Sequence, residues 1–259
     1  MDLTVSTGIA ARDFSTSLAR GLRVIVAFDR DHPEMTLSDV ARRSDMTRAA
    51  ARRYLLTLCE LGYVTGDGKY FRLTPRVLQL GYAFLTSMHL WERAQPFMER
   101  LTEQVNESCS ISVLEGDDIV YVARVPTKRI MSVALGIGTR LPAYCTSMGR
   151  VLLADLRPAE LDTYLARARL APLTPHTVTE PDALRRVIGE VRQNGYALVD
   201  QELEIGLRSI AVPIRNQAGR VLAAMNVSGH VSRVSAEEMR QRFLSPLLYA
   251  ADGIRMAMS

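Results

Sequence analysis

The chain has 259 residues, enough for two domains, and its 47% hydrophobic and 23% charged content excludes disordered and fibrous classes. No signal peptide and no apolar run of about 18 residues is present, and Cys59, Cys109 and Cys145 have neither metal-ligand spacing nor the even count of a disulfide framework. The expectation is a cytoplasmic, reduced protein with no membrane partner, cofactor or metal. The net charge of +4 is local, because Arg42, Arg43, Arg48, Arg52 and Arg53 stand against Asp45 alone within one short stretch.

Taken in chain order, residues 1–17 read as an N-terminal arm. Leu18, Leu22, Ile25 and Phe28 then recur at helical spacing and predict a first helix that closes a small core. Thr36-Leu37-Ser38-Asp39 has the form of a helix cap, so a short helix runs through Arg43 and breaks at Ser44-Asp45-Met46. Thr47 caps a second helix that continues through Leu61 to a stop at Gly62, with Ala51, Tyr54, Leu55, Leu58 and Leu61 as its buried stripe. Ala49, Arg52, Arg53 and Leu56 project from the opposite side. Small Ala49 lets the backbone approach a groove while arginines reach phosphates or guanine edges, which is the geometry of a recognition helix. Tyr63-Val64-Thr65 and Lys69-Tyr70-Phe71-Arg72-Leu73 flank Gly66-Asp67-Gly68 as a tight hairpin, the wing of a winged helix-turn-helix over 18–74. The DNA-contacting set is therefore Arg42, Thr47, Arg48, Ala49, Arg52, Arg53 and Lys69.

Thr74-Pro75 starts a linker helix over 75–90 whose Val77, Leu80, Phe84 and Met88 form an apolar stripe, with Leu85 beside it. Such a stripe needs a cover, and a second subunit is the favoured one. Residues 91–259 alternate helices with hairpin strands. Ser110–Leu114 and Ile119–Ala123 flank Glu115-Gly116-Asp117-Asp118, Leu207–Ile214 and Val221–Val227 flank Asn216–Gly219, and three helices lie between the pairs at 147–156, 158–168 and 182–194. The fold class is α+β: a winged helix-turn-helix, a linker helix and a C-terminal domain with an antiparallel sheet flanked by helices.

This order of parts resembles the IclR family of bacterial transcription regulators, from Leu18 to the C-terminus. The likeness is carried by Ser17–Leu22, the helix-turn-helix, the run from Leu141 to Ala154 (LPAYCTSMGRVLLA), Gly206–Ala211 and Asn226-Val227-Ser228-Gly229. Arg124–Val133 and Gly138–Tyr144 are most similar to the branch that regulates aromatic-acid catabolism, the Pca and Pob regulators. The resemblance implies homodimers, often paired into tetramers, on palindromic double-stranded DNA, controlled by a small carboxylate effector such as protocatechuate or β-ketoadipate. It makes the C-terminal domain an effector domain and places the effector near Ser147, Met148, Leu207, Ser209, Asn226 and Ser228.

The residues make independent physical sense. A helix starting at Ser147 offers free N–H groups and the positive end of its dipole to a carboxylate, and Thr146 and Ser147 add hydroxyls. Asn226 and Ser228, two apart on a strand, share a face. Arg140 or Arg129 is the candidate counter-charge, and Tyr144 or Met148 the candidate apolar wall. In one departure, Leu198-Val199 precede Asp200 where some relatives place an acid after the Gly195-Tyr196 pair.

An enzyme is not expected. No spacing ties Cys145 to His176 or His230 as its base, Ser147 lacks a Gly-x-Ser-x-Gly elbow, and His32, His89, His176 and His230 are scattered. The competing reading is a DNA-binding architectural protein whose C-terminal domain only oligomerises.

Overall fold

The computed structural model describes residues 10–88, 90–127 and 135–258. The chain forms two compact units, Met1–Phe84 and Leu85–Ser259.

In the first unit, α1 (Thr16–Val26) is capped by Ser15, whose Oγ accepts from the Leu18 N–H at 3.3 Å. The expected cap at Thr36 is a complete capping box: Thr36 Oγ1 accepts from the Asp39 N–H and the Asp39 carboxylate accepts from the Thr36 N–H, starting α2 (Leu37–Arg43). Asp45, at φ 52°, reverses the chain, and Thr47 caps α3 (Arg48–Glu60). Strands β2 (Val64–Gly66) and β3 (Tyr70–Leu73) pair around Asp67, whose Oδ1 accepts from the Lys69 and Tyr70 N–H groups. A third strand, β1 (Glu34–Thr36), pairs with β3 and was not anticipated, because three residues are too few to show a period.

Val24, Val40, Ala51 and Leu55 are fully buried at the centre of this unit. Two expectations about its core are corrected. Leu18 and Leu22, expected to be buried with Phe28, are 64% and 44% exposed, and Leu61 is 50% exposed. They border a groove of 520 Å³ with Ile25, Tyr54 and Leu80, so helical spacing reported one apolar face correctly but not that half of it lacks a cover within this unit. After a 3-10 turn at Pro75–Val77, α4 (Leu78–Met88) carries the linker, with Leu78, Leu80, Tyr82 and Phe84 exposed.

The second unit is a six-stranded antiparallel sheet, order β6-β5-β4-β9-β8-β7. Its strands are β4 (Ser108–Glu115), β5 (Asp118–Val125), β6 (Arg140–Pro142), β7 (Ala197–Asp200), β8 (Leu207–Arg215) and β9 (Val221–His230). β6 and β7 are short edge strands that the sequence reading passed over. One face of the sheet, with Ile111, Ile210, Val212 and Met225, packs on α5 (Leu90–Val105) and α10 (Leu244–Ala257); a short turn, α9 (Ala236–Glu238), leads through a π-helical turn at Met239–Phe243 into α10. The other face, with Tyr121, Ala211 and Ala224, packs on α6 (Ser147–Asp155), α7 (Pro158–Arg167) and α8 (Pro181–Asn194). Alternation along the strands, interrupted by bulges opposite Ile111/Ser112 and at Ile214/Arg215, supplies both cores from one sheet.

Gly149 sets how closely α6 lies on the preceding turn. A Cβ there would sit 2.1 Å from the Ala143 carbonyl oxygen and 2.5 Å from its Cα, and backbone cannot yield to that approach. Gly149→Ala is therefore expected to cost about 1–3 kcal/mol as an overpacking strain. Thermal unfolding measures this, and a melting temperature equal to wild type would show that the turn relaxes freely.

Candidate functional site

The first candidate site is the outer side of α3. Arg48, Ala49, Arg52, Arg53 and Leu56 are exposed along it, and Thr47 Oγ1 accepts from the Ala50 N–H at 3.3 Å as the N-cap. Arg53 stands 5.7 Å over the Tyr54 ring and also borders the apolar groove, so it marks the margin of the face while Arg52 holds its middle. Hydrogen bonding to Ser17, with lesser help from Arg20 and Arg53, holds the Tyr54 phenol below its ordinary value. Lys69 extends from the hairpin tip, 4.9 Å over the Tyr70 ring.

The five-arginine cluster divides by role. Arg42 is 76% exposed on its side chain and pairs with Asp39 at 2.9 Å. Arg43 points the other way: its Nε donates to the Ala27 carbonyl at 2.9 Å and its Nη2 pairs with Asp29, so it fastens α2 to the end of α1. The sequence reading omitted Arg43 from the DNA face, and its partners give the reason.

The second candidate site is a cavity of 30 Å³ at the N-terminus of α6, with space for about two waters. Thr146, Ser147, Met148, Leu207, Ser209, Asn226 and Ser228, seven of the ten expected effector residues, line it together. The sheet register explains the convergence, because Ser209 pairs with Ser228, and Asn226 lies two residues along β9 on the same face. Asn226 Nδ2 donates to Ser228 Oγ at 3.0 Å; among the described residues the buried Asn226 Oδ1 has no partner, and buried Ser147 Oγ has none either. Two bare polar atoms at 4% and 1% exposed residues are costly unless something polar meets them.

The other three expected residues fare differently. Arg140 is drawn away to Glu115 and Asp118, at 2.5 and 3.1 Å, on the β5–β6 edge, so it is corrected as a counter-charge for this cavity. Tyr144 is also corrected: it lies outside the lining, and its hydroxyl donates to the Ala171 carbonyl at 2.7 Å. Arg129 lies outside the described residues. Thr146 lines the cavity, but its hydroxyl is engaged as the α6 cap, accepting from the Gly149 N–H at 3.2 Å. Met148 Sδ accepts from Ser112 Oγ at 3.3 Å, fixing the side chain as one wall.

Sequence reasoning missed Tyr121, Leu135, Val199 and Leu203, which complete the apolar wall. Val199 was partly legible, since the departure at Leu198-Val199 fell on it; Leu198 packs on the opposite core while Asp200 pairs with Arg208 at 2.7 Å. Cys145 also lines the cavity, and burial pushes its thiol up to about 12, far from the thiolate that a nucleophile needs. Among the described residues, no group of His, Cys, Asp and Glu is placed to hold a metal ion, and no helix is long and apolar enough to cross a membrane.

A winged helix with a basic face followed by a domain of this sheet order can be compared with known proteins. The model of the IclR helix-turn-helix domain matches residues 17–68, and that of the bacterial transcriptional regulator IclR C-terminal domain matches residues 82–256. The chain belongs to the IclR family. It is 52% identical over 240 residues to the Pca regulon regulatory protein of Pseudomonas putida, covering 92% of this chain and 82% of that one. It is 37% identical over 255 residues to the p-hydroxybenzoate hydroxylase transcriptional activator of Acinetobacter baylyi, covering 96% and 94%. Among solved structures, an IclR homolog from Microbacterium hydrocarbonoxydans complexed with 4-hydroxybenzoate superposes with a TM-score of 0.84 at 30% identity, covering 94% of this chain and 99% of that one. The chain is thus an IclR-type transcription regulator whose relatives fall in the Pca and Pob branch, and these relatives are regulators rather than enzymes.

Proposed function

We propose that this IclR-type regulator is controlled by a small carboxylate from aromatic-acid catabolism, such as protocatechuate or β-ketoadipate, bound at the N-terminus of α6. The observation that carries the reading is the pair of unpartnered buried atoms, Ser147 Oγ and Asn226 Oδ1, on a cavity with an apolar wall. The first N–H groups of α6 and its dipole favour an anion, the Ser147 hydroxyl donates to it, and the wall accepts a ring or short chain. A relative that regulates the Pca regulon and a homolog that holds 4-hydroxybenzoate support that class. A ligand larger than two waters needs the wall to move, and Leu135 and Leu203 are wall residues carried outside helix and sheet.

The DNA-bound unit we infer is a homodimer, or a dimer of dimers, reading a palindromic operator with two recognition helices. Exposed Leu18, Leu22, Leu61 and Leu80 support a second copy as their cover. The functional division is an arm at 1–17, a DNA-binding domain at 18–74, a linker helix at 75–90 and an effector domain at 91–259. Effector occupancy shifts the linker helices and with them the half-site spacing.

A thermal-shift series with protocatechuate, 4-hydroxybenzoate, β-ketoadipate and simple salts tests the reading. One acid class is expected to stabilise the protein by about 2.7 kcal/mol at a hundredfold excess over its Kd. Ser147→Leu, which removes the free hydroxyl and fills the cavity, is expected to abolish that shift while operator binding persists. No shift with any acid would leave the architectural reading, in which the C-terminal domain only oligomerises.

A further inference from the structure

Arg124, on β5, was not singled out by its sequence context, yet the register puts it on the cavity side of the sheet. Ser110 pairs with Arg124 on one side and with Asn226 on the other, so the three occupy one transverse row. Directly opposed residues project from the same face. Neighbouring strands are about 4.8 Å apart, so Arg124 stands roughly 10 Å from Asn226 at the backbone, within the reach of a long side chain and a small ligand between them.

A β-bulge makes this arrangement possible. The pairing shifts between Ile111 and Ser112, so that Ile111 faces Ala123 while Ser112 faces Tyr121. Val122 and Ala123 both turn into the core beneath α5 and α10. In a regular strand Tyr121 and Arg124, three apart, would point to opposite faces; the bulge brings them to the same one. Tyr121 itself lines the cavity.

The charge on Arg124 is also unusual for its surroundings. Among the described arginines of the C-terminal unit that are not exposed, Arg140, Arg150, Arg208 and Arg255 each pair with a carboxylate, at 3.1 Å or closer. Arg124 is half-buried, and among the described residues no carboxylate acts on it: desolvation holds its guanidinium below the ordinary arginine value, opposed by the Tyr121 phenol. Among the described residues that line the cavity, none is basic. A half-buried guanidinium that no described carboxylate pairs and an anion site whose described lining carries no cation complement each other.

We propose that Arg124 is the cationic partner of the effector's carboxylate, closing over it from β5 while Ser147 and Asn226 hold its polar atoms from α6 and β9. This rests on the reading that the cavity takes a carboxylate. The ligand class is thereby narrowed to acids whose carboxylate can face β5, with the remainder against Met148, Val199 and Leu203.

Titration calorimetry on the full chain tests it with protocatechuate, 4-hydroxybenzoate and β-ketoadipate, and with 4-hydroxybenzamide as an uncharged counterpart. Arg124→Gln is expected to weaken acid binding about ten- to a hundredfold, leave amide binding as in wild type, and be partly restored in Arg124→Lys. Arg140→Gln, at the β5–β6 edge, should leave acid binding unchanged. Equal acid affinity in wild type and Arg124→Gln overturns the assignment, and so does a parallel loss of acid and amide, which marks a structural role. A wild-type protein that binds none of the acids overturns the cavity reading itself, and the assignment with it.

Discussion

Glu202→Ala is expected to lower the stability of the C-terminal domain by about 3–5 kcal/mol, because it leaves a buried guanidinium without its charge partner. Arg150, on α6, is 3% exposed and Glu202, in the loop after β7, is 7% exposed. Arg150 Nη2 donates to Glu202 Oε2 at 2.6 Å, and the same oxygen accepts from the Val178 N–H at 3.1 Å. Arg150 Nε in turn donates to the Tyr144 carbonyl at 3.0 Å, in the turn that leads to the cavity. One carboxylate therefore ties together the α6 helix, the irregular segment before α8 and the loop that carries Leu203. In a domain of this size a loss of that magnitude lowers Tm by on the order of 10 °C. The double variant Arg150→Met with Glu202→Leu should recover much of it, since an apolar pair of similar volume carries no stranded charge. Thermal melts of the three proteins decide the matter: a Tm within about 2 °C of wild type for Glu202→Ala would mean that water reaches Arg150.

The second large effect is on DNA. Arg52→Ala is expected to weaken operator binding about ten- to a hundredfold without a change in melting temperature, since Arg52 is exposed in the middle of the outward face of α3. Arg53→Ala should weaken it less, because Arg53 leans over Tyr54 at the edge of that face. Mobility-shift titrations at several salt concentrations separate the two kinds of contact. Loss of a phosphate contact lowers the salt slope by about 0.9 per site, whereas loss of a base contact leaves the slope and relaxes the sequence preference. Arg43→Ala provides the contrast, with lowered stability, because its partners are Ala27 and Asp29 rather than solvent. Wild-type affinity in both Arg52→Ala and Arg53→Ala would move the DNA interface off this helix.

Much of the architecture was legible because its signals are local. Thr36 with Asp39, Thr47, Thr74 before Pro75, and Gly62 at φ 76° act within a few residues of themselves, so caps and stops could be placed from the chain alone. The wing and the two principal hairpins were equally local, set by Asp67 and by Gly116 at their turns. Seven of the cavity residues were found because a helix start and a strand two-residue period place side chains by counting, once the family likeness had indicated where to count.

Elsewhere counting was insufficient. Helical spacing marked Leu18, Leu22 and Leu61 as apolar positions, but which of them are covered depends on the elements that come to rest against α1 and α3. Arg140 and Arg124 look alike as basic residues near a hairpin; one is paired by Glu115 and Asp118 across the strand edge, and the other is placed by a bulge on the face of the sheet that carries Tyr121. Arg150 and Glu202, far apart in the chain, become partners only when α6 lies on the loop after β7. The sequence by itself determined the principal helices and hairpins, their order, the basic face of α3 and the family, because those properties reside in short spans of chain, whereas the short strands β1, β6 and β7 left no such signal. The tertiary structure alone decided which apolar faces are closed and which charges are paired, because packing, register and desolvation are set by residues remote in sequence.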